Sequence, residues 1–190
     1  MNLFLKRLGG FYKYRFLMQQ LVTKDIKLKY RRSFLGYLWS ILNPLMVMVI
    51  MVIVFSNMFR SDIVNFPVYL IIGQTLYNFM SESTTQAIFS IIGNASLLKK
   101  TYVPKYVFTV SKITSSFVNM VFALGALVIV FVVCRVVPNV FYLFIPVILL
   151  QEYLFCLGLG MLLAQGCVFF RDIQQIYNAV LTAWMYLTPL

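Results

Sequence analysis

Histidine is absent from this chain, and with it goes the commonest general base and transition-metal ligand. Cysteine is scarce. Cys134, Cys156 and Cys167 lie in or at the edge of apolar runs with no metal-like spacing, so they read as packing residues and imply no disulfide framework. Charge is scarce too, at 11% of residues, with five Asp and Glu against sixteen Lys and Arg. No glycine opens the spacing GxxxxGKS or GxxxxGKT, so the sequence contains no phosphate-cradling P-loop and is not itself the ATPase of a pump. Nor is a cleavable signal peptide visible, because the first apolar run lies too far in and is too long for one.

What is abundant is apolar surface: 62% of residues are hydrophobic, 17% aromatic, and the mean hydropathy is +0.88. That leaves too little polar material to coat a soluble globule of 190 residues, and an integral membrane protein is the reading that remains. The apolar residues run continuously, as in LMVMVIMVIVF (45–55) and LGALVIVFVVC (124–134), where a β-barrel would alternate. The expected fold class is therefore an all-α polytopic membrane protein. Its net charge of +11 would suggest nucleic acid in a soluble chain. Here the basic residues cluster at the ends of apolar runs, where anionic headgroups or a cytoplasmic partner account for them, and no nucleic acid is implied.

Taken in order, residues 1–36 form a cytoplasmic or interfacial segment and 37–190 a transmembrane domain. In the first segment Phe11, Tyr14, Leu17, Met18, Leu21, Val22 and Leu28 recur at three- and four-residue steps among lysines and arginines, which predicts an amphipathic helix lying in the interface. Five spans follow, at 37–59, 67–92, 113–134, 140–170 and 176–190 onward, with a basic cytoplasmic loop at 94–112. As one helix, 140–170 would be about 45 Å long against a hydrocarbon core of about 30 Å, so it is tilted or interrupted near Pro146 or the Gly158/Gly160 pair. Lys and Arg number nine before residue 37, four in 94–112 and one at Arg171, against Arg60 and Arg135 on the other side, which predicts a cytoplasmic N-terminus. The chain stops in the midst of an apolar stretch, so a further C-terminal part is expected.

The second span hides a regularity. Gln74, Asn78, Glu82, Gln86, Ser90 and Asn94 follow at four-residue intervals, and each step drifts by about 40° on a helix, giving a ribbon that winds around the surface. Hydrogen-bonding groups cost several kcal/mol in hydrocarbon, so the ribbon either knits helices together or lines a wet pathway. Glu82 is ionisable and has no obvious intrahelical partner at three or four residues, which favours the lining. Gly160 with Ala164, and Ser111, Ser115, Asn119 and Ala123, form small faces suited to close helix packing, and Glu152 suits an interface position. In the loop, Leu97, Leu98, Lys99, Lys100, Tyr102, the helix-limiting Pro104 and Lys105 make a short amphipathic element able to dock on a cytoplasmic partner.

Lys29-Tyr30-Arg31-Arg32-Ser33, running through Leu35-Gly36 to Trp39 and Pro44, resembles the RYRxSxLGxxWxxxxP run of permease subunits of ABC-2 type exporters that move lipid-linked polysaccharides such as O-antigen, capsule and teichoic acid chains. NASLLKKTYVPKYVF is similar to that family's coupling helix, Phe170-Arg171-Asp172-Ile173 to its FRDI motif, and WMYLTPL (184–190) to the stretch that leads into re-entrant helices and a sixth span. Lys29 stands where arginine is usual and Thr109 where proline is common. The resemblance implies a homodimer in the bacterial cytoplasmic membrane with two separate ATPase subunits. ATP and Mg are used by those partners and this chain holds no cofactor or metal. It implies Arg31, Arg32 and Ser33 at a lipid-headgroup entrance, 97–105 as the coupling element, and Tyr37, Trp39, Gln74, Tyr77, Asn78, Glu82 and Gln86 as positions along the translocation path. Two alternatives stay open: an ABC-2 exporter of a drug or small lipid, and an ATP-independent channel or membrane scaffold.

Overall fold

The computed structural model describes residues 12–31, 33–58, 66–100, 102–135 and 140–188. Among them there is no strand. Seven α-helices follow in order: α1 (Arg15–Tyr30), α2 (Trp39–Met58), α3 (Phe66–Ser90), α4 (Ala95–Lys100), α5 (Tyr106–Val133), α6 (Ile145–Phe169) and α7 (Ile173–Leu187). Short 3-10 turns at Gly36–Leu38, Ile92–Asn94 and Val140–Phe144 lead into α2, α4 and α6. The chain is an all-α membrane protein. Its segments Gly36–Val54, Tyr106–Val133 and Tyr142–Phe169 are long and apolar enough to cross a bilayer. At 25 residues α3 has the length but carries the polar ribbon, and α7 is a 15-residue helix.

The central pair is α3 and α5, on which the other helices pack. One apolar cluster joins α2, α3 and α5 through Met48, Val68, Ile71, Ala126, Leu127 and Val130. The other joins α3, α5, α6 and α7 through Phe79, Met80, Ile88, Ile113, Cys156, Tyr177 and Leu181. Cys156 and Cys167 are buried there as packing residues, and all three cysteines are free. Hydroxyls on these apolar helices are bonded back to their own backbone: Thr75 to Ile71 O (2.6 Å), Thr84 to Met80 O (2.6 Å) and Ser111 to Val107 O (2.7 Å).

Several boundaries differ from those hydropathy suggests. α5 starts at Tyr106 and not near residue 113, because Pro104 precedes it at the helix entry and its first turns are held by packing, with Val107, Phe108 and Val110 buried. Most of 94–112 is consequently helical. α6 is one uninterrupted helix through Gly158 and Gly160, with Pro146 in its first turn, where a missing N–H costs nothing. Gly160 marks a close approach of α6 to α3 and α5: a Cβ there would lie 2.8 Å from Ile113 Cδ1 and 3.0 Å from Ala87 Cβ. α7 ends at Leu187, with Thr188 extended as the residue before Pro189. Residues 59–65 and 189–190, parts of the expected first and last spans and of the turn between the first two, lie outside the described residues, as does Arg32.

The largest departure concerns α1. Its apolar stripe does not sit free for lipid: α1 lies along the first half of α5, with Leu17, Met18, Leu21, Val22 and Ile26 half-buried. The small face of α5 receives it. Lys112 Nζ is 2.8 Å from Asp25 Oδ1, Ser115 Oγ is 3.5 Å from Asp25 Oδ2, and Tyr30 donates to Asn119 Oδ1 at 3.3 Å.

Candidate functional site

α1 ends at Tyr30 with Arg31 extended, and the chain turns through Gly36 at φ +50° before α2 begins. This left-handed residue lets α2 continue along α5 beyond the end of α1, with Ile41 against Gly125 and Tyr37 6.0 Å from Phe122 between ring centres. Between the end of α1, the start of α2, the middle of α3 and the middle of α5, an open cavity of about 630 Å³ remains.

Its wall is polar for a place among apolar helices. α2 contributes Trp39, Ser40, Asn43 and Pro44; α3 contributes Thr75, Asn78, Ser81, Glu82, Thr85 and Gln86; α5 contributes Ser116 and Asn119. Pro44 sits inside α2 and cannot supply the N–H that Ser40's carbonyl would receive in an unbroken helix. A hydrogen-bond chain runs across the cavity. Ser40 and Tyr30 share a short hydroxyl contact, Tyr30 donates to Asn119, and Asn119 Nδ2 donates to Glu82 Oε1 at 3.4 Å. The same oxygen accepts from Gln86 Nε2 at 2.9 Å and from Lys29 Nζ at 2.7 Å.

Glu82 therefore has the intrahelical partner that the sequence reading denied it. The amide of Gln86, four residues on, reaches back one turn, a pairing overlooked because Gln86 was itself counted as part of the ribbon.

The ribbon divides by its own drift. Asn78, Glu82 and Gln86 face the cavity, whereas Ser90 has turned inward to bond Ala87 O (2.6 Å) and Thr109 Oγ1 (2.8 Å), and Asn94 bonds Ser90 O (2.8 Å). Successive turns of one helix thus face a cavity and knit helices together. Gln74 lies off the cavity, with Oε1 buried and unpartnered among the described residues. Trp39 is on the cavity wall, whereas Tyr37 stacks on Tyr30 at 4.8 Å and Tyr77 bonds Leu181 O at 2.7 Å, holding α7 to α3.

Arg31 points elsewhere. With Lys24, Lys27, Gln20 and Phe16 it lines a groove of about 710 Å³ on the outward face of α1. Ser33 is half-buried, its N–H on Tyr30 O at 3.3 Å. At the start of α5, well away from Arg31, α4 carries Leu97 and Leu98 half-buried beneath exposed Lys99 and Lys100, and beyond it Tyr102 and Lys105 are exposed beside half-buried Pro104. The result is a basic tip bearing an aromatic ring. No group of acids or cysteines among the described residues is placed to hold a metal ion.

Comparison with known proteins identifies relatives of the chain. The ABC-2 type transporter family profile matches residues 17–190. The O-antigen export system permease protein RfbA of Myxococcus xanthus is 33% identical over 178 residues, spanning 94% of this chain and 68% of that protein. The protein of the same name from Klebsiella pneumoniae is 30% identical over 175 residues, covering 92% and 68%. The capsule polysaccharide export inner-membrane protein CtrC of Neisseria meningitidis is 24% identical over 166 residues, covering 84% and 62%.

Proposed function

Because this chain belongs to the ABC-2 type transporter family, we propose that it is the channel-forming permease subunit of an ATP-driven exporter that carries a lipid-linked polysaccharide across the bacterial cytoplasmic membrane. The observation that carries the cargo is the likeness to O-antigen export permeases along 92–94% of this chain, joined by a capsule-export relative. In this reading two copies form the channel and two separate ATPase subunits drive it, using ATP and Mg. The N-terminus and the α4 tip then face the cytoplasm, in line with fourteen of the sixteen Lys and Arg on that side.

Each structural feature has a place in the proposal. The segment 97–105 is the coupling element: Lys99, Lys100 and Tyr102 are exposed for the ATPase, while Leu97 and Leu98 are half-buried. Arg31, beside Lys24 and Lys27, forms with Arg32 and Ser33 the headgroup-facing entrance. The cavity under Trp39, Asn78, Glu82 and Gln86 is part of the path.

Deleting the chain tests the reading. Completed lipid-linked glycan should accumulate on the cytoplasmic side and disappear from the cell surface, and the tagged permease should co-purify with a P-loop ATPase. Unchanged surface glycan together with lost efflux of a drug would replace the polysaccharide with a small cargo.

A further inference from the structure

Resting on the polysaccharide reading above, the structure points to a division of labour that the reading leaves open. We propose that the 630 Å³ cavity is a subsite for an uncharged, hydroxyl-rich ring of the cargo, a glycosyl unit, and not for the phosphate of its lipid carrier.

The first argument is charge. Among the described residues, Lys29 and Glu82 are the only charged side chains on the cavity wall, and they neutralise each other at 2.7 Å. A phosphate arriving there would meet the Glu82 carboxylate and would have to take Lys29 away from it, whereas an uncharged ligand disturbs neither. The cations that suit a phosphate, Lys24, Lys27 and Arg31, line the outward groove of α1.

The second argument is hydrogen-bond chemistry. The remaining polar wall is rich in carboxamides, Asn43, Asn78, Gln86 and Asn119, each offering donors and an acceptor in one group. A sugar hydroxyl also donates and accepts, so the two match, while a phosphate oxygen can only accept and is better served by Arg or Lys. Trp39 adds an apolar ring face at the same wall.

The third is an unsatisfied group. Ser116 is 1% exposed, it lies on the cavity wall, and its Oγ has no partner among the described residues. A buried hydroxyl left unpaired is unfavourable, and turning it toward the cavity gives a hydroxylated ligand a partner there.

The chain's two tryptophans are Trp39 and Trp184, so Trp184→Phe leaves Trp39 as sole reporter at the cavity. The full chain carrying that change is placed in nanodiscs and titrated with neutral di- and trisaccharides of hexose, 6-deoxyhexose and N-acetylhexosamine, and separately with inorganic pyrophosphate. The expected result is a saturable change in Trp39 emission with a neutral saccharide and none with pyrophosphate. Adding Asn78→Ala or Asn119→Ala should weaken the saccharide at least about tenfold, and Asn78→Gln, which keeps the carboxamide, should recover most of it. Saturation by pyrophosphate, or no saturable response to any of the saccharides, overturns the subsite. Surface glycan made by cells with the unaltered chain is scored in parallel. Chain-dependent surface glycan without a saccharide response rejects this subsite alone, whereas surface glycan that is unchanged when the chain is deleted rejects the polysaccharide reading.

Discussion

Lys29 on α1 and Glu82 on α3 are separated by 53 residues in sequence and by 2.7 Å in the fold. Together with Asp25 and Lys112, at 2.8 Å, they form a reciprocal exchange. α1 supplies an acid to α5 and a base to α3, so two of the chain's five acidic residues hold one short helix to the bundle. The pattern fixes the axial position of α1, because a slide of one turn would break both pairs at once.

The two pairs differ in weight. Asp25 and Lys112 are the less exposed, so Asp25→Asn should lower stability by about 1–2 kcal/mol, whereas Lys29→Gln at the more open pair should cost about 0.5–1 kcal/mol. Thermal unfolding in detergent measures both. The double exchange Asp25→Lys with Lys112→Asp should restore part of what either single reversal loses.

Gly160 and Gly158 are two residues apart on α6 and should respond oppositely to alanine. At Gly160 the added Cβ meets Ala87 Cβ at 3.0 Å as well as Ile113 Cδ1, and although isoleucine can rotate away, a Cβ cannot; the expected loss is about 1–3 kcal/mol. At Gly158 nothing lies within 4 Å, and the better helix former should be neutral or gain up to about 1 kcal/mol. Equal melting temperatures for the two variants would contradict the packing.

Gly36 is required for conformation and not for space. A Cβ there meets nothing within 4 Å, but φ is +50°, so alanine should cost about 1–2 kcal/mol and asparagine distinctly less. Gly93, with equally open surroundings and no positive φ, is the control and should tolerate alanine. Protein yield and melting temperature read the contrast.

At the α4 tip, Lys99→Glu with Lys100→Glu and, separately, Tyr102→Ala alter exposed side chains, so folded protein in the membrane should be unchanged to within about 0.5 kcal/mol of stability. Export and cargo-stimulated ATP hydrolysis should nevertheless fall together. Retention of both would remove the coupling role from 97–105.

Much of the architecture was legible because the bilayer imposes simple rules: long uncharged runs must be helices, and Lys and Arg mark one side. Gly160 and Ala164, read as a close-packing pair from spacing alone, are both buried against neighbours. The docking of α1 was not legible. An apolar stripe with a basic back looks the same whether lipid or another helix covers it, and the ion pairs that decide the matter join residues 53 and 87 positions apart. The start of α5 was hidden for a related reason: hydropathy reports where lipid begins, while the helix begins wherever packing and Lys112's ion pair can hold it. The ribbon on α3 was seen, but its division between cavity and core depends on where neighbours happen to stand around it.

That ribbon also acts as a ruler. Because four-residue spacing outruns the helical repeat, of the ribbon only Asn78, Glu82 and Gln86 stay on the cavity, and with Thr75 the polar cavity-facing stretch of α3 rises about 17 Å. A hydrocarbon layer is about 30 Å thick, so this stretch matches little more than half of it. The spacing that looks like a pore stripe in the sequence thus gives α3 one short hydrophilic station, and under the proposed function a cargo with many polar groups would have to be handed from it to surfaces contributed by other elements.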